Sequence, residues 1–261
     1  MDKISTILVP FDFSDSAERA LEYAIGFVGQ DDNVKIILAH VSDQGASSLP
    51  SDKMEKIREK YNKAYKNKLE WTIRSGTLIE ALVEIQKTSH IDLIIMGTYG
   101  TNKEGGEVQT NTSKLVLEAD CPVLVVPRNH KGFHLKNIAL VLGNEEIDNI
   151  EDLSTMLEVA RRFNARVHVV TIENKPGDYG YSEAEAKNEK AMAYYLENFY
   201  AERVFLKNKD VVDGILTYAS KRDLDLIAIL PRNHTLHSEP SEGQLTQMLT
   251  LHSKVPVLAV D

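Results

Sequence analysis

The sequence predicts an α/β protein made of two tandem doubly wound domains, each a five-stranded parallel sheet covered by helices on both faces. Three observations lead there. Four apolar segments of the first half recur in the same order in the second, at offsets of 131, 131, 133 and 134 residues. Short β-branched runs alternate with longer stretches of helical period, the signature of a parallel sheet wrapped by its crossover helices. The 261 residues, 43% hydrophobic and 26% charged, suffice for two ordinary cores of about 130 residues that fold without staples.

The repeat is read from Lys3–Val9 against Leu135–Leu140, Asn33–Ala39 against Asn164–Val170, Asp92–Met96 against Asp225–Ile229, and Cys121–Val126 against Val255–Val260. The growth of the offset is what a few loop insertions produce. The halves, 1–130 and 135–261, meet in the short polar stretch Asn129–His134, which contains Gly132.

Within the first half, Thr6–Val9 is a compact apolar run, expected as a buried parallel strand. Ser14 stands where an N-cap belongs, before Ala17, Ala20, Leu21, Ala24, Ile25 and Val28 at three- and four-residue steps. Lys35–Val41 is the second strand. Met54, Ile57, Tyr61 and Tyr65 mark a second helix with a lysine-rich outer face. Leu69–Ile73 is the third strand and Leu78–Ile85 the third helix. Ile91–Met96 and Val123–Val126 are the fourth and fifth strands, joined through a helix over Ser113–Glu118. The second half repeats this order, with Ser182 and Glu185 spaced as a capping box before an apolar set Ala191, Tyr194, Tyr195 and Phe199.

Composition excludes several classes of function. A formal net charge of −9 disfavours a phosphate-reading nucleic-acid protein. One cysteine, Cys121, allows neither an internal disulfide nor a multi-cysteine metal site. The amphipathic, acidic Met1–Val28 does not read as a signal peptide, and no apolar run approaches the ~20 residues of a membrane span. The expectation is a soluble cytoplasmic protein with no nucleic-acid or membrane partner.

In doubly wound sheets, ligands bind at the C-terminal ends of the strands where the strand order reverses. After the fourth strand the chain runs Gly97-Thr98-Tyr99-Gly100, then through Gln109 to Thr110-Asn111-Thr112-Ser113. Glycines beside a buried strand let the backbone approach a ligand, and the run Thr110–Ser113 would open a helix whose free N–H groups favour an anion. That describes a phosphate cradle. The same residues also suit a solvated loop with a polar cap, since the spacing matches neither G-x-G-x-x-G nor the P-loop.

Taken together, Val9-Pro10-Phe11-Asp12-Phe13-Ser14, His40-Val41, Met96-Gly97-Thr98-Tyr99-Gly100 and Cys121–Val126 resemble the universal stress protein family across essentially the whole chain, in its tandem-domain form. The resemblance implies a Rossmann-like fold and an intramolecular pseudo-dimer through the final strands, Val123–Val126 and Val257–Val260. It also implies an adenine-nucleotide site for ATP or AMP, Mg²⁺ accompanying ATP, in the first domain. Pro10, Asp12 and Val41 would line the adenine and ribose side. Met96, Gly97 and Gly100 would flank the ribose and first phosphates, and Thr110 and Asn111 would serve the outer ones. Gln109 stands where the nucleotide-binding members have glycine, with eight residues between it and Gly100 rather than nine. Its side chain, with Glu104 and Glu107 opposed only by Lys103, weakens the expected site, each like-charge contact costing about 1 kcal/mol. A bulky residue at Gly97 or Gly100 is expected to abolish binding and leave the fold intact.

The second half departs further. Gly143 stands at the position of Asp12, Leu230-Pro231 follows the fourth strand in place of glycine, and Gly243-Gln244 keeps a glycine without the hydroxyl. The expectation is a degenerate partner that retains the fold. Two histidines at His234 and His237 lack a third ligand and predict no metal site. Asp12, Ser14 and His40 form no expected catalytic triad, and catalysis is not predicted beyond slow hydrolysis or self-phosphorylation. The function expected is a stress-response module that senses or sequesters an adenine nucleotide. The alternative is a scaffold without nucleotide that acts through protein contacts, its partner and any homo-oligomer unspecified.

Overall fold

In the computed structural model, the residues described are 4–42, 51–61, 64–66, 69–99, 110–142, 153–173, 183–230 and 242–260. The chain divides into two units, Asp2–Phe133 and His134–Asp261. In the first, β1 (Thr6–Pro10), α1 (Asp15–Val28), β2 (Lys35–Val41), α2 (Ser51–Tyr61), β3 (Glu70–Arg74), α3 (Leu78–Ser89), β4 (Leu93–Thr98), α4 (Asn111–Glu118) and β5 (Val123–Pro127) follow one another. All strand pairs are parallel and the order is β3-β2-β1-β4-β5. The chain winds one way from β1 and then returns to β4, so the order reverses between β1 and β4.

The second unit repeats the pattern. Its elements are β6 (Asn137–Val141), α5 (Ser154–Phe163), β7 (Arg166–Glu173), α6 (Glu183–Leu196), β8 (Tyr200–Lys207), α7 (Val211–Lys221), β9 (Leu226–Ile229), α8 (Glu242–His252) and β10 (Val257–Ala259). The parallel order is β8-β7-β6-β9-β10. The doubly wound α/β class expected for both halves is therefore observed. Among the described residues no helix is long and apolar enough to cross a membrane.

One carboxylate ties the start of each sheet. Asp92, just before β4, accepts hydrogen bonds at one oxygen from Ser5 N (2.8 Å), Ser5 Oγ (2.8 Å) and Thr6 N (2.9 Å) at the entry to β1. Asp225, just before β9, accepts from Lys136 N (2.8 Å) and Asn137 N (2.9 Å) at the entry to β6, and its other oxygen meets His134 Nδ1 at 2.8 Å. The two central strands enter each sheet far apart in sequence, and this clamp fixes their stagger while satisfying N–H groups that the ladder leaves open.

The structure corrects two element readings. The helix expected through Tyr65 stops at Tyr61. Tyr65 is 1% exposed, and its hydroxyl accepts from Ile36 N and donates to Val34 O, both at 3.0 Å, pinning the entry of β2. In α6 the buried described positions are Asn188, Met192 and Leu196, four residues apart, and Tyr194 is 75% exposed. The apolar set Ala191, Tyr194, Tyr195 and Phe199 thus does not mark the inner face, which the four-residue step from Met192 sets. The side chains of the Ser182–Glu185 capping box lie outside the described residues.

The boundary between units has a physical cause. Phe133 lies against Tyr23 (ring centroids 4.9 Å) and Phe27 (6.2 Å) of α1. A Cβ on Gly26 would stand 2.3 Å from Phe133 Cβ, so mid-helix glycine, though weak for a helix, is what lets the ring seat. His134, the next residue, belongs to the Asp225 clamp.

In the second unit, Glu202 of β8 gathers three partners at one oxygen: His168 Nδ1 (3.0 Å), the Tyr218 hydroxyl (3.2 Å) and Arg222 Nη2 (3.2 Å). Burial pushes the Glu202 carboxyl up, but these donors and the Arg222 charge outweigh it and hold its pKa below the ordinary value, while burial raises the Tyr218 phenol. A carboxylate with a depressed folded pKa stabilises the fold above the ordinary carboxylate range, and that contribution disappears as pH falls through the lowered value. Because the group is partly exposed, Glu202→Gln should cost no more than about 1 kcal/mol at neutral pH. Urea melts of both proteins across an acid series should show the difference closing below the carboxylate range. Asp92→Ala orphans two backbone N–H groups and should lower unfolding stability by about 1–3 kcal/mol, read in the same melts.

Candidate functional site

The strand reversal between β1 and β4 opens a cleft at the C-terminal ends of the strands. It is lined by Pro10, Phe11, Asp12, Ser14, Ser16, Ala17, Ala39, Val41, Leu78, Met96 and Gly97, and encloses about 410 Å³ counted to its open mouth. The walls are apolar where β1, β2 and β4 end. The polar groups, Asp12, Ser14 and Ser16, all come from the β1–α1 turn and the first turn of α1.

That turn is built by short-range bonds. Phe11 N donates to Ala39 O (2.8 Å), extending the β1–β2 ladder by one residue. Asp12 Oδ1 accepts from Ser14 N (3.0 Å), an Asx turn that halts the strand. Ser14 takes the N-cap, its hydroxyl accepting from Ala17 N (3.2 Å) and lying 3.1 Å from Ser16 Oγ. Between them Phe13 sits at φ +64°, a left-handed conformation costly for an aromatic residue. Its ring is held by Phe11 (5.3 Å, edge-on), Trp71 (5.9 Å, stacked) and His40 (5.4 Å). His40 also bonds Phe11 O through Nδ1 at 2.8 Å, which assigns the proton to that nitrogen. Asp12, Ser14 and His40 thus serve three separate backbone partners and form no relay.

Of the nine residues singled out from the sequence, the structure brings Pro10, Asp12, Val41, Met96 and Gly97 together around this cleft. Thr110 and Asn111 open α4 instead of lining it. Thr110 is the N-cap, its Oγ1 accepting from Ser113 N at 3.2 Å, and Asn111 is the exposed first residue of the helix. Gly100 and Gln109 lie outside the described residues, as do Lys103, Glu104, Glu107, Gly143, Pro231, His234 and His237. The side chains around Gly243 are likewise outside them. Among the described residues no group of three or more His, Cys, Asp or Glu side chains could hold a metal ion. Cys121 is buried.

Sequence reasoning missed Phe11, Ser16, Ala17, Ala39 and Leu78 as lining residues, and read Ser14 only as a helix cap. Ala39 was legible in principle, being two residues from Val41 and so on the same strand face. Leu78 comes from α3, and only tertiary packing puts it there.

Gly97 has a different role from the one expected. It lies within β4, and a Cβ added to it would stand 2.1 Å from Ser16 O and 2.5 Å from Ser16 C. The glycine is the seat on which the first turn of α1 rests against β4. A bulky residue there would displace the helix, contrary to the expectation of an intact fold. In the second unit Leu230 occupies the corresponding position.

The universal stress protein family model matches residues 3–127 and again 136–261. No curated protein matches the sequence. Among solved structures, a universal stress protein from Archaeoglobus fulgidus DSM 4304 is 17% identical, covers 100% of this chain and 99% of its own, and superposes with a TM-score of 0.69. A candidate universal stress protein from Pseudomonas aeruginosa UCBPP-PA14 is 15% identical, covers 98% of this chain and 93% of its own, and also gives 0.69. At those identities the likeness is one of fold. A universal stress protein solved in complex with cAMP covers 47% of this chain and 96% of its own, at 23% identity and a TM-score of 0.39.

Gly97→Ala should destabilise the protein by about 1–3 kcal/mol, because a methyl group must displace backbone rather than a flexible side chain. A thermal melt checks it, and an unchanged midpoint would contradict the seating role.

Proposed function

The chain belongs to the universal stress protein family, and on that premise we propose that it binds an adenine nucleotide, ATP or AMP, in the cleft of its first domain. It would act there as a sensor or sequestering module in a stress response, without efficient turnover. The observation that carries this reading is the convergence of Pro10, Asp12, Val41, Met96 and Gly97 on one cleft at the strand reversal.

The lining fits the ligand class. Pro10, Phe11, Ala39, Val41 and Met96 offer apolar walls to a planar base, and Asp12 offers carboxylate oxygens to ribose hydroxyls. The first N–H groups of α4, beyond Thr110 and Asn111, suit an anion. Mg²⁺, in this reading, arrives with ATP, supplying charge neutralisation to the phosphates. The reading carries with it a cytoplasmic location.

The test begins with the nucleotide content of freshly purified protein, released by denaturation and separated by ion-pair chromatography, followed by calorimetric titration with ATP and AMP. One-site binding is expected. Val41→Trp probes the cleft better than a change at Gly97, since Val41 is half-buried at the rim and a larger side chain there fills the cleft without entering the α1–β4 contact. It should weaken binding by more than about tenfold with an unchanged melting temperature. No nucleotide in the preparation and no heat on titration would overturn the proposal and turn the search to protein partners.

A further inference from the structure

We infer that His40 is the positioning residue for the Asp12 carboxylate, holding the peptide from which Asp12 projects and so giving the cleft its preference for ribose hydroxyls; this rests on the nucleotide reading above. His40 does not line the cleft, and it reaches the lining through the backbone of Phe11, which does. Side chains alternate along β2, so His40 lies on the opposite strand face from Ala39 and Val41. Its Nδ1 donates to Phe11 O at 2.8 Å, and that oxygen belongs to the peptide joining Phe11 to Asp12. A peptide is planar, so a bond at its oxygen orients the plane from which the Asp12 Cα leaves. The peptide before it is held as well, Phe11 N donating to Ala39 O at 2.8 Å. β2 thus grips two consecutive peptides at the end of β1, one through its backbone and one through the imidazole.

Asp12 depends on that grip because the strand ladder stops one residue before it and it is exposed. Its Oδ1 accepts from Ser14 N at 3.0 Å, which ties the carboxylate to the start of α1 and leaves Oδ2 for a ligand hydroxyl. That bond alone does not fix the carboxylate against β2. The His40 bond supplies the second tie, to the strand whose Ala39 and Val41 wall the cleft. A carboxylate held from both sides loses little freedom when a ligand arrives, and one held from a single side loses more.

The hydrogen bond is separable from ring packing. The Phe13 ring meets His40 at 5.4 Å, stacks on Trp71 at 5.9 Å and has Lys53 Nζ 5.6 Å from its centroid. Phenylalanine at position 40 keeps a ring against Phe13 and has no donor. Asparagine loses the ring and keeps an N–H donor on an atom bonded to Cγ, as histidine does at Nδ1.

The experiment titrates the full chain and its His40→Phe and His40→Asn variants with AMP and with the dideoxy analogue of AMP, which lacks both ribose hydroxyls. A melting curve for each protein shows that it is folded at the titration temperature. Wild type should favour AMP by about tenfold, the scale of one hydrogen bond to a charged group. His40→Phe should lose that preference by a fall in AMP affinity alone, and His40→Asn should keep it. Because the preference compares two ligands on one protein, a general loss of stability cancels from it. A preference kept by His40→Phe, or lost by His40→Asn, overturns the role of His40 and leaves the nucleotide reading in place. A wild type that binds both ligands equally overturns the ribose contact of Asp12 and this inference with it, while nucleotide binding stands. A wild type that binds neither overturns the nucleotide reading and this inference together.

Discussion

The first domain depends on the contact of a helix backbone with a strand backbone where no side chain intervenes. Ser16 O and C occupy the space that a Cβ on Gly97 would need. That approach brings α1 down onto β4 immediately after β1 ends, leaving Phe11 to Ser14 to turn the chain. Much of the cleft follows from this shortness. The turn has room for one Asx bond, at Asp12, and one cap, at Ser14. Both residues face the strand ends because the helix they start is held there. A longer connection would carry these groups away from Val41 and Met96, and the cleft would lose its polar side.

The tight turn also forces Phe13 into the left-handed region, a conformation costing of the order of 1 kcal/mol for a residue with a Cβ. The surroundings offset that cost with ring packing. Phe11, Trp71 and His40 surround the Phe13 ring, and Trp71 also meets Phe11 edge-on at 5.7 Å. Phe11 belongs to the turn itself, while His40 and Trp71 come from β2 and β3, so two neighbouring strands hold a turn that local sequence alone would not. His40 links the two halves of this support, contacting the ring with its own and bonding Phe11 O through Nδ1. In the structure it acts as a brace.

Much of the fold was legible in the sequence because the same physical devices are written twice. The Asp92 and Asp225 clamps sit at matching places before β4 and β9, and the apolar strand runs around them have the length and β-branching of buried parallel strands. The capping serines and threonines were legible for a local reason: Ser14 and Thr110 act on N–H groups three residues away. What the sequence hid was tertiary. Tyr65 could not be separated from a helical stripe by spacing, since its step from Tyr61 is helical and only its hydroxyl bonds to Val34 and Ile36 show why it leaves the helix. Tyr194 stood in an apolar set with Ala191, Tyr195 and Phe199, and only the packing of Met192 and Leu196 shows that it faces outward. Gly97 looked like a ligand's doorway, and its helix-seating role depends on a segment eighty residues earlier.

The two halves differ at the position on which the first one depends. Leu230 stands where Gly97 does, with the strand run Asp225–Ile229 matching Asp92–Met96 before it. A helix seated on β9 as α1 is seated on β4 would bring its backbone to about the 2.1 Å separation that an added Cβ on Gly97 would have, and no side-chain rearrangement relieves a clash between Cβ and backbone. The side chain at Leu230 thus stands at the place where the first half has none. The expectation of a degenerate second half rests on Gly143 in place of Asp12, on Leu230-Pro231 in place of glycine and on Gly243-Gln244.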